Sequence, residues 1–133
     1  MSVRCVIVDD DANFVGVARE LLEGEGITVV DAVSTGAEAC RTFRQFQPDV
    51  VLVDINLGTE SGFDVARLLA GQTETEPPRV ILISASPGEA PAHMVADSPA
   101  VSFLPKESLS GAAIRAILSR AASAARPPQR DSR

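Results

Sequence analysis

Four apolar runs in this sequence end on residues that could do phosphoryl chemistry together. Asp9 and Asp10 close the first, Asp54 and Ser84 close two later ones, and Lys106 follows the last at FLPK. Carboxylates gathered in one crevice repel each other, and they become tolerable when a hard divalent cation sits among them. Magnesium prefers few protein carboxylates, several waters and a phosphate oxygen. A carboxylate beside such a cation can act as nucleophile toward a phosphoryl donor. The cation and Lys106 would then offset charge on the phosphoryl oxygens, and the Ser84 hydroxyl would donate a hydrogen bond to one of them.

That chemistry needs strands whose ends meet. Val3 to Val8 is continuous and β-branched, as suits a parallel strand buried on both faces. Ile27 to Val33, Asp49 to Val53, Val80 to Ile83 and Val101 to Leu104 read as four further strands. Helical stretches alternate with them. The first is N-capped by Asp11 and turns Phe14, Ala18, Leu21 and Leu22 inward. The second opens on Thr35 and Glu38, a capping-box pair, and turns Ala39, Phe43 and Phe46 inward. A loop from Ile55 to Glu60 leads to a third helix, which Ser61 or Asp64 caps and which turns Val65, Leu68 and Leu69 inward. Gly71 to Pro78 reads as a loop. The fourth helix is reduced by prolines to Ala92 to Asp97, with Pro91 in its first turn. Ser108 caps the last, with Ile114, Ile117, Leu118 and Ala121 facing the core. The pattern is (βα)5, a doubly wound α/β fold with a five-stranded parallel sheet covered on both faces. In such sheets ligands bind beyond the carboxyl ends of the strands, where Asp9, Asp10, Asp54, Ser84 and Lys106 fall.

With those residues in that order, the sequence resembles the receiver domain of two-component response regulators over about Val3 to Ala122. The matching segments are VIVDDD, VLVDINLGTESG, VILISA and FLPK. Each motif alone is weak, but the four in order on strand ends are a specific combination. The resemblance implies a flavodoxin-like strand order, 2-1-3-4-5. It implies that Asp54 is the phosphoacceptor, and that Asp10 binds Mg2+ or Mn2+ directly while Asp9 acts mostly through a coordinated water. It gives Asn56 a backbone carbonyl on the metal, and Ser84 and Lys106 contacts to the phosphoryl group. Phe103 falls at the aromatic switch position, and Asn56 and Ser86 at positions that tune the phosphoryl lifetime. The implied partners are a sensor histidine kinase or phosphotransfer protein and a downstream protein of unknown identity. Such a domain is a switch with slow self-catalysed phosphorylation and dephosphorylation rather than an enzyme. Its output face is the fourth helix, fifth strand and fifth helix.

Three departures from the family pattern stand out. Gly58 occupies a position where the family often has proline. Glu107 follows Lys106 where a proline with a cis bond is common. The fourth helix is short and rich in proline. Other readings of the acids are a metal-dependent phosphohydrolase with an aspartyl nucleophile, or a pseudo-receiver that binds partners without phosphate. Haloacid-dehalogenase-type hydrolases usually carry a second aspartate two residues after the nucleophile, where this chain has Asn56.

Composition narrows the partners. The 133 residues suit one domain, expected over 1–125, with 126–133 as a disordered tail. With 12 basic and 18 acidic residues the net charge is −6, which argues against direct nucleic-acid or anionic-membrane binding. Two cysteines are too few for a disulfide framework, and both fall in apolar or helical stretches where buried thiols are common. No run approaches the roughly 18 apolar residues that span a bilayer, so a cytoplasmic location is the default. His93, the one histidine, reads as a surface residue.

Overall fold

In the computed structural model the β-branched runs become strands of one parallel sheet, and the amphipathic stretches become the helices that cover it. The described residues are 2–72, 78–86, 88 and 90–125, with side chains described through Ala122. The strands are β1 (Val3–Val8), β2 (Ile27–Val33), β3 (Val50–Asp54), the short β4 (Asn56–Leu57) and β5 (Glu60–Ser61), β6 (Val80–Ser84) and β7 (Ser102–Pro105). The five longer ones lie in the order β2-β1-β3-β6-β7, all pairings parallel, which is the expected 2-1-3-4-5. The helices are α1 (Ala12–Gly24), α2 (Gly36–Phe46), α3 (Gly62–Ala70), α4 (Ala92–Asp97) and α5 (Gly111–Ala125).

Strand side chains alternate between faces, so the sheet builds two cores. Val6, Val8, Val51, Val53 and Leu82 pack with Ala39, Val65, Ala66 and Leu69 from α2 and α3. Cys5, Ile7, Leu52, Ile81 and Ile83 pack with Ala18, Leu22, Ile114 and Ile117 from α1 and α5. Both cysteines are buried and free, and burial pushes the Cys5 thiol up to about 12, where it is chemically inert. None of the described helices is long and apolar enough to cross a membrane.

Several local expectations change. Leu21 is 38% exposed and Leu68 is 49% exposed, because Leu22 and Leu69 take the inward positions beside them. The loop after Asp54 contains an antiparallel ribbon, in which β4 pairs with β5. Lys106–Ser108 forms a 3-10 turn, which moves the start of α5 past Ser108; Ser110 caps it instead, its Oγ accepting from the Ala113 N–H at 3.0 Å. Pro91 stands just before α4 rather than within its first turn. The N-terminus of α5 is tied to the end of α1: the Glu25 carboxylate accepts the Gly111 N–H, and Arg115 Nη2 donates to the Glu25 carbonyl at 2.6 Å. Edge strand β2 is bulged, since Cys5 pairs with Val29 and Val6 with Asp31, leaving Val30 between them. No cis peptide bond occurs among the described residues, so Lys106–Glu107 is trans. The expected tail, 126–133, and most of the Gly71 to Pro78 loop lie outside the described residues.

Candidate functional site

Chain direction places the site. Because all five main strands run parallel, their carboxyl ends share one edge of the sheet, and β1 and β3 are neighbours there. Asp9, Asp10 and Asp54 consequently each present a carboxylate oxygen within 4.8 Å of the others. Asp9 and Asp54 are buried and Asp10 is exposed. Asp9 Oδ1 accepts the Asp11 N–H at 2.9 Å, and Asp11 in turn caps α1 by accepting from Asn13 and Phe14.

The second oxygen of Asp9 carries the electrostatic problem of the site. Asp9 Oδ2 is buried and has no well-aligned hydrogen-bond donor. What faces it is the Lys106 ammonium, 2.8 Å away as an ion contact. The same ammonium lies 3.2 Å from Asp54 Oδ2. Burial raises the Asp9 pKa above the usual carboxylate range; the Lys106 contact and the Asp11 N–H pull it back, and the nearby Asp54 charge adds to the rise. For Lys106, burial pulls downward, but contact with Asp9 and Asp54 outweighs it, and the net shift is upward. One cation thus faces two of the three acids. A buried carboxylate oxygen lacking an aligned donor, among three converging hard oxygen ligands, fits a divalent cation.

The segment after Asp54 wraps the site closely. Asp54 Oδ1 accepts the Asn56 N–H at 3.0 Å, and Asn56 Oδ1 accepts the Gly58 N–H at 3.3 Å. Gly58 has φ +75, which proline cannot adopt, so glycine here belongs to a differently shaped loop. A Cβ at Gly58 would stand 3.4 Å from Asp10 Oδ2, so this loop lies against the acids. Gly62 opens α3 directly on the acceptor's backbone: a Cβ there would meet the Asp54 carbonyl oxygen at 2.2 Å. Glu60 Oε1 accepts the Gly36 N–H at 2.9 Å and ties the ribbon to the start of α2.

Ser84 ends β6 beside Asp54, whose register partner is Ile83. Its buried hydroxyl is engaged with Ser86, donating to the Ser86 carbonyl at 2.9 Å and accepting the Ser86 N–H at 3.0 Å. Ser86 itself is exposed. Ser84 pairs with Pro105 across the ladder, which sets Lys106 just past the strand ends. Phe103 is half-buried in β7 and packs against the core on the α2 and α3 side. His93 is exposed on α4, away from these residues in the chain. Beside Asp9 and Asp10 opens a groove of about 400 Å³, lined also by Ala12, Val15, Ala32, Val33, Ser34 and Glu38. One contact had no signal in the sequence. The Phe14 ring, expected only as core, lies under the Lys106 ammonium with its centroid 4.2 Å from Nζ.

Known proteins resemble this chain in sequence and in fold. The family model for the response regulator receiver domain matches residues 5–118. The DNA-binding response regulator MtrA of Mycobacterium leprae is 36% identical over 69 residues, 52% of this chain and 30% of that protein. A protein-glutamate methylesterase/protein-glutamine glutaminase of Hahella chejuensis is 31% identical over 102 residues, 76% of this chain and 29% of that protein. The match to each of these curated relatives thus spans under a third of its length. Among solved structures, the signal receiver domain of NarL from Mycobacterium tuberculosis aligns with a TM-score of 0.74 at 30% identity, covering 91% of this chain and 97% of that one. A CheY-like receiver domain from Methylobacillus flagellatus, at 21% identity, shares the fold with a TM-score of 0.74, covering 90% and 98%.

Proposed function

The chain belongs to the response regulator receiver domain family, and from that premise we propose that it is a cytoplasmic phosphorylation switch whose acceptor is Asp54. The observation that carries this reading is the Lys106 ammonium between Asp9 and Asp54, 2.8 Å from one and 3.2 Å from the other. The donor is a phosphorylated histidine on a sensor kinase or phosphotransfer protein. An Asp54 carboxylate oxygen attacks the phosphorus, the P–N bond breaks, and its electron pair returns to the donor imidazole. Asn56 orients the nucleophile through its N–H on Asp54 Oδ1. The groove beside Asp10 gives the donor side chain room to approach.

Asp9, Asp10, Asp54 and the Asn56 backbone carbonyl would hold Mg2+ or Mn2+, which when bound offsets charge on the transferring phosphoryl oxygens. Lys106 follows the phosphoryl group as its second cation. Ser84 gives up the Ser86 carbonyl to donate its hydroxyl to a phosphoryl oxygen, and Ser86 and Asn56 set how readily water reaches the product. Phosphorylation adds about 1.5 to 2 negative charges, by analogy with other phosphorylated residues. The Ser84 movement frees space toward Phe103, and the surface of α4, β7 and α5 shifts between two populations that a downstream protein distinguishes.

Intact-mass analysis after incubation with acetyl phosphate and magnesium tests the assignment. Wild type should gain one phosphate-sized increment and Asp54→Asn none. A gain in both proteins removes Asp54 from the role. A gain in neither leaves a binding module that never carries phosphate, and turnover of a phosphoester without a stable adduct indicates a phosphohydrolase.

A further inference from the structure

Lys106 has a partner that does not compete for the metal. Its side chain is 12% exposed and touches three groups: Asp9, Asp54 and the ring of Phe14 at 4.2 Å. A hard divalent cation takes oxygen ligands, so a metal held by this cluster would compete with the lysine for both carboxylates. The aromatic ring offers such a metal nothing, and its attraction for an ammonium persists whatever the carboxylates do. Phe14 is also well anchored. It lies in the first turn of α1, its N–H bonded to Asp11, and its ring packs against the core on the α1 and α5 side.

We propose that Phe14 is a positioning residue for phosphoryl transfer: its ring keeps the Lys106 ammonium over the site while Asp9 and Asp54 are committed to the metal. The proposal rests on the phosphoacceptor reading of Asp54 and adds a residue that touches neither phosphate nor metal. Without the ring, Lys106 is free to swing to solvent once its carboxylate partners are engaged. A merely structural Phe14 would tolerate any apolar side chain of similar bulk. A positioning Phe14 requires an aromatic face.

Two variants separate these roles. Phe14→Leu keeps apolar bulk and removes the ring, and Phe14→Tyr keeps the ring. In magnesium-loaded protein the Lys106 ε-methylene protons should be shifted upfield by the ring in wild type and Phe14→Tyr, and should return to ordinary lysine positions in Phe14→Leu. Labelling by acetyl phosphate at saturating magnesium should slow about fivefold in Phe14→Leu, the size expected of one partly desolvated cation–π contact, and hold in Phe14→Tyr. Magnesium affinity should stay unchanged in both. Equal labelling rates in wild type and folded Phe14→Leu overturn the proposal, as does loss of rate in Phe14→Tyr. An unshifted Lys106 in wild type overturns it even if Phe14→Leu fails to fold. If wild type takes no phosphoryl group, the reading of Asp54 fails separately, and the transfer role given to Phe14 falls with it.

Discussion

Lys106 stands closer to Asp9 than to Asp54, at 2.8 Å against 3.2 Å. Its first task in the resting protein is therefore to neutralise a buried acid that has no aligned donor on that oxygen. Breaking such a pair leaves one charge stranded, so Lys106→Met should destabilise the fold by about 3 kcal/mol, the low end for a buried pair because the lysine keeps some exposure. The pH dependence has a definite sign. Because the folded Lys106 pKa is raised, its stabilisation is fully present below the ordinary lysine value of 10.5 and is lost as pH climbs through the folded value. Asp9 shifts stability in the same direction with pH, but in the acid range. Its raised pKa makes its charge a cost at neutral pH, relieved as pH falls through the folded value toward 3.8. Urea unfolding between about pH 9 and 12 should show an alkaline decline in both proteins, because the buried Cys5 thiol is raised to about 12, and a steeper one in wild type than in Lys106→Met. Parallel curves for the two proteins would contradict this account.

A cation-free cluster of three acids should be a strained resting state. Magnesium at a hundred times its dissociation constant should add about 2.7 kcal/mol of stability. Asp10 is the exposed member of the cluster, so Asp10→Asn removes a ligand and some repulsion without leaving a buried void. In thermal melts without divalent ions Asp10→Asn should unfold above wild type, and added magnesium should reverse the ranking. A magnesium response of equal size in both proteins would mean that Asp10 is not a ligand.

Two glycines should respond to alanine with opposite signs. Gly16 lies on α1 with nothing within 4 Å of where a methyl would stand, so Gly16→Ala should stabilise by about 0.5 to 1 kcal/mol through helix propensity alone. A methyl at Gly62 would meet the Asp54 carbonyl oxygen at 2.2 Å and Ile55 Cα at 2.6 Å. Gly62→Ala should cost about 1 to 3 kcal/mol and weaken magnesium binding, since the backbone that must yield carries the acceptor. Denaturation curves and a magnesium titration of both variants check this. Unaltered magnesium affinity in Gly62→Ala would show that Asp54 is not displaced.

Much of the fold is legible in the sequence because its strands are buried on both faces and read as unbroken β-branched runs. Ile27–Val33 and Ala92–Asp97 fall where the sequence places them. The polar residues at the strand ends are legible for the same reason, since each interrupts an apolar run at its carboxyl end. Helix rotation is harder to read. Leu21 and Leu68 sit next to Leu22 and Leu69, and only packing decides which of two adjacent leucines turns inward. The ribbon after Asp54 is two residues per strand, too short for any periodicity. The start of α5 lies beyond the point Ser108 suggests, because Ser108 and Ser110 are equally good caps in isolation. The 3-10 turn that separates them begins at Lys106, whose ammonium reaches Asp9 across the site. Phe14 and Lys106 lie at opposite ends of the chain, and nothing local to either announces their contact.

The irregularity of β2 at Val30 bears on how copies of this protein meet other chains. An outermost strand with an unbroken row of free N–H and C=O groups invites a foreign strand to add on. Here one rim is kinked by an extra residue, and the opposite rim, β7, is only four residues long. Neither rim is a good template for extension, which guards a continuously apolar sheet against fibre-like self-association.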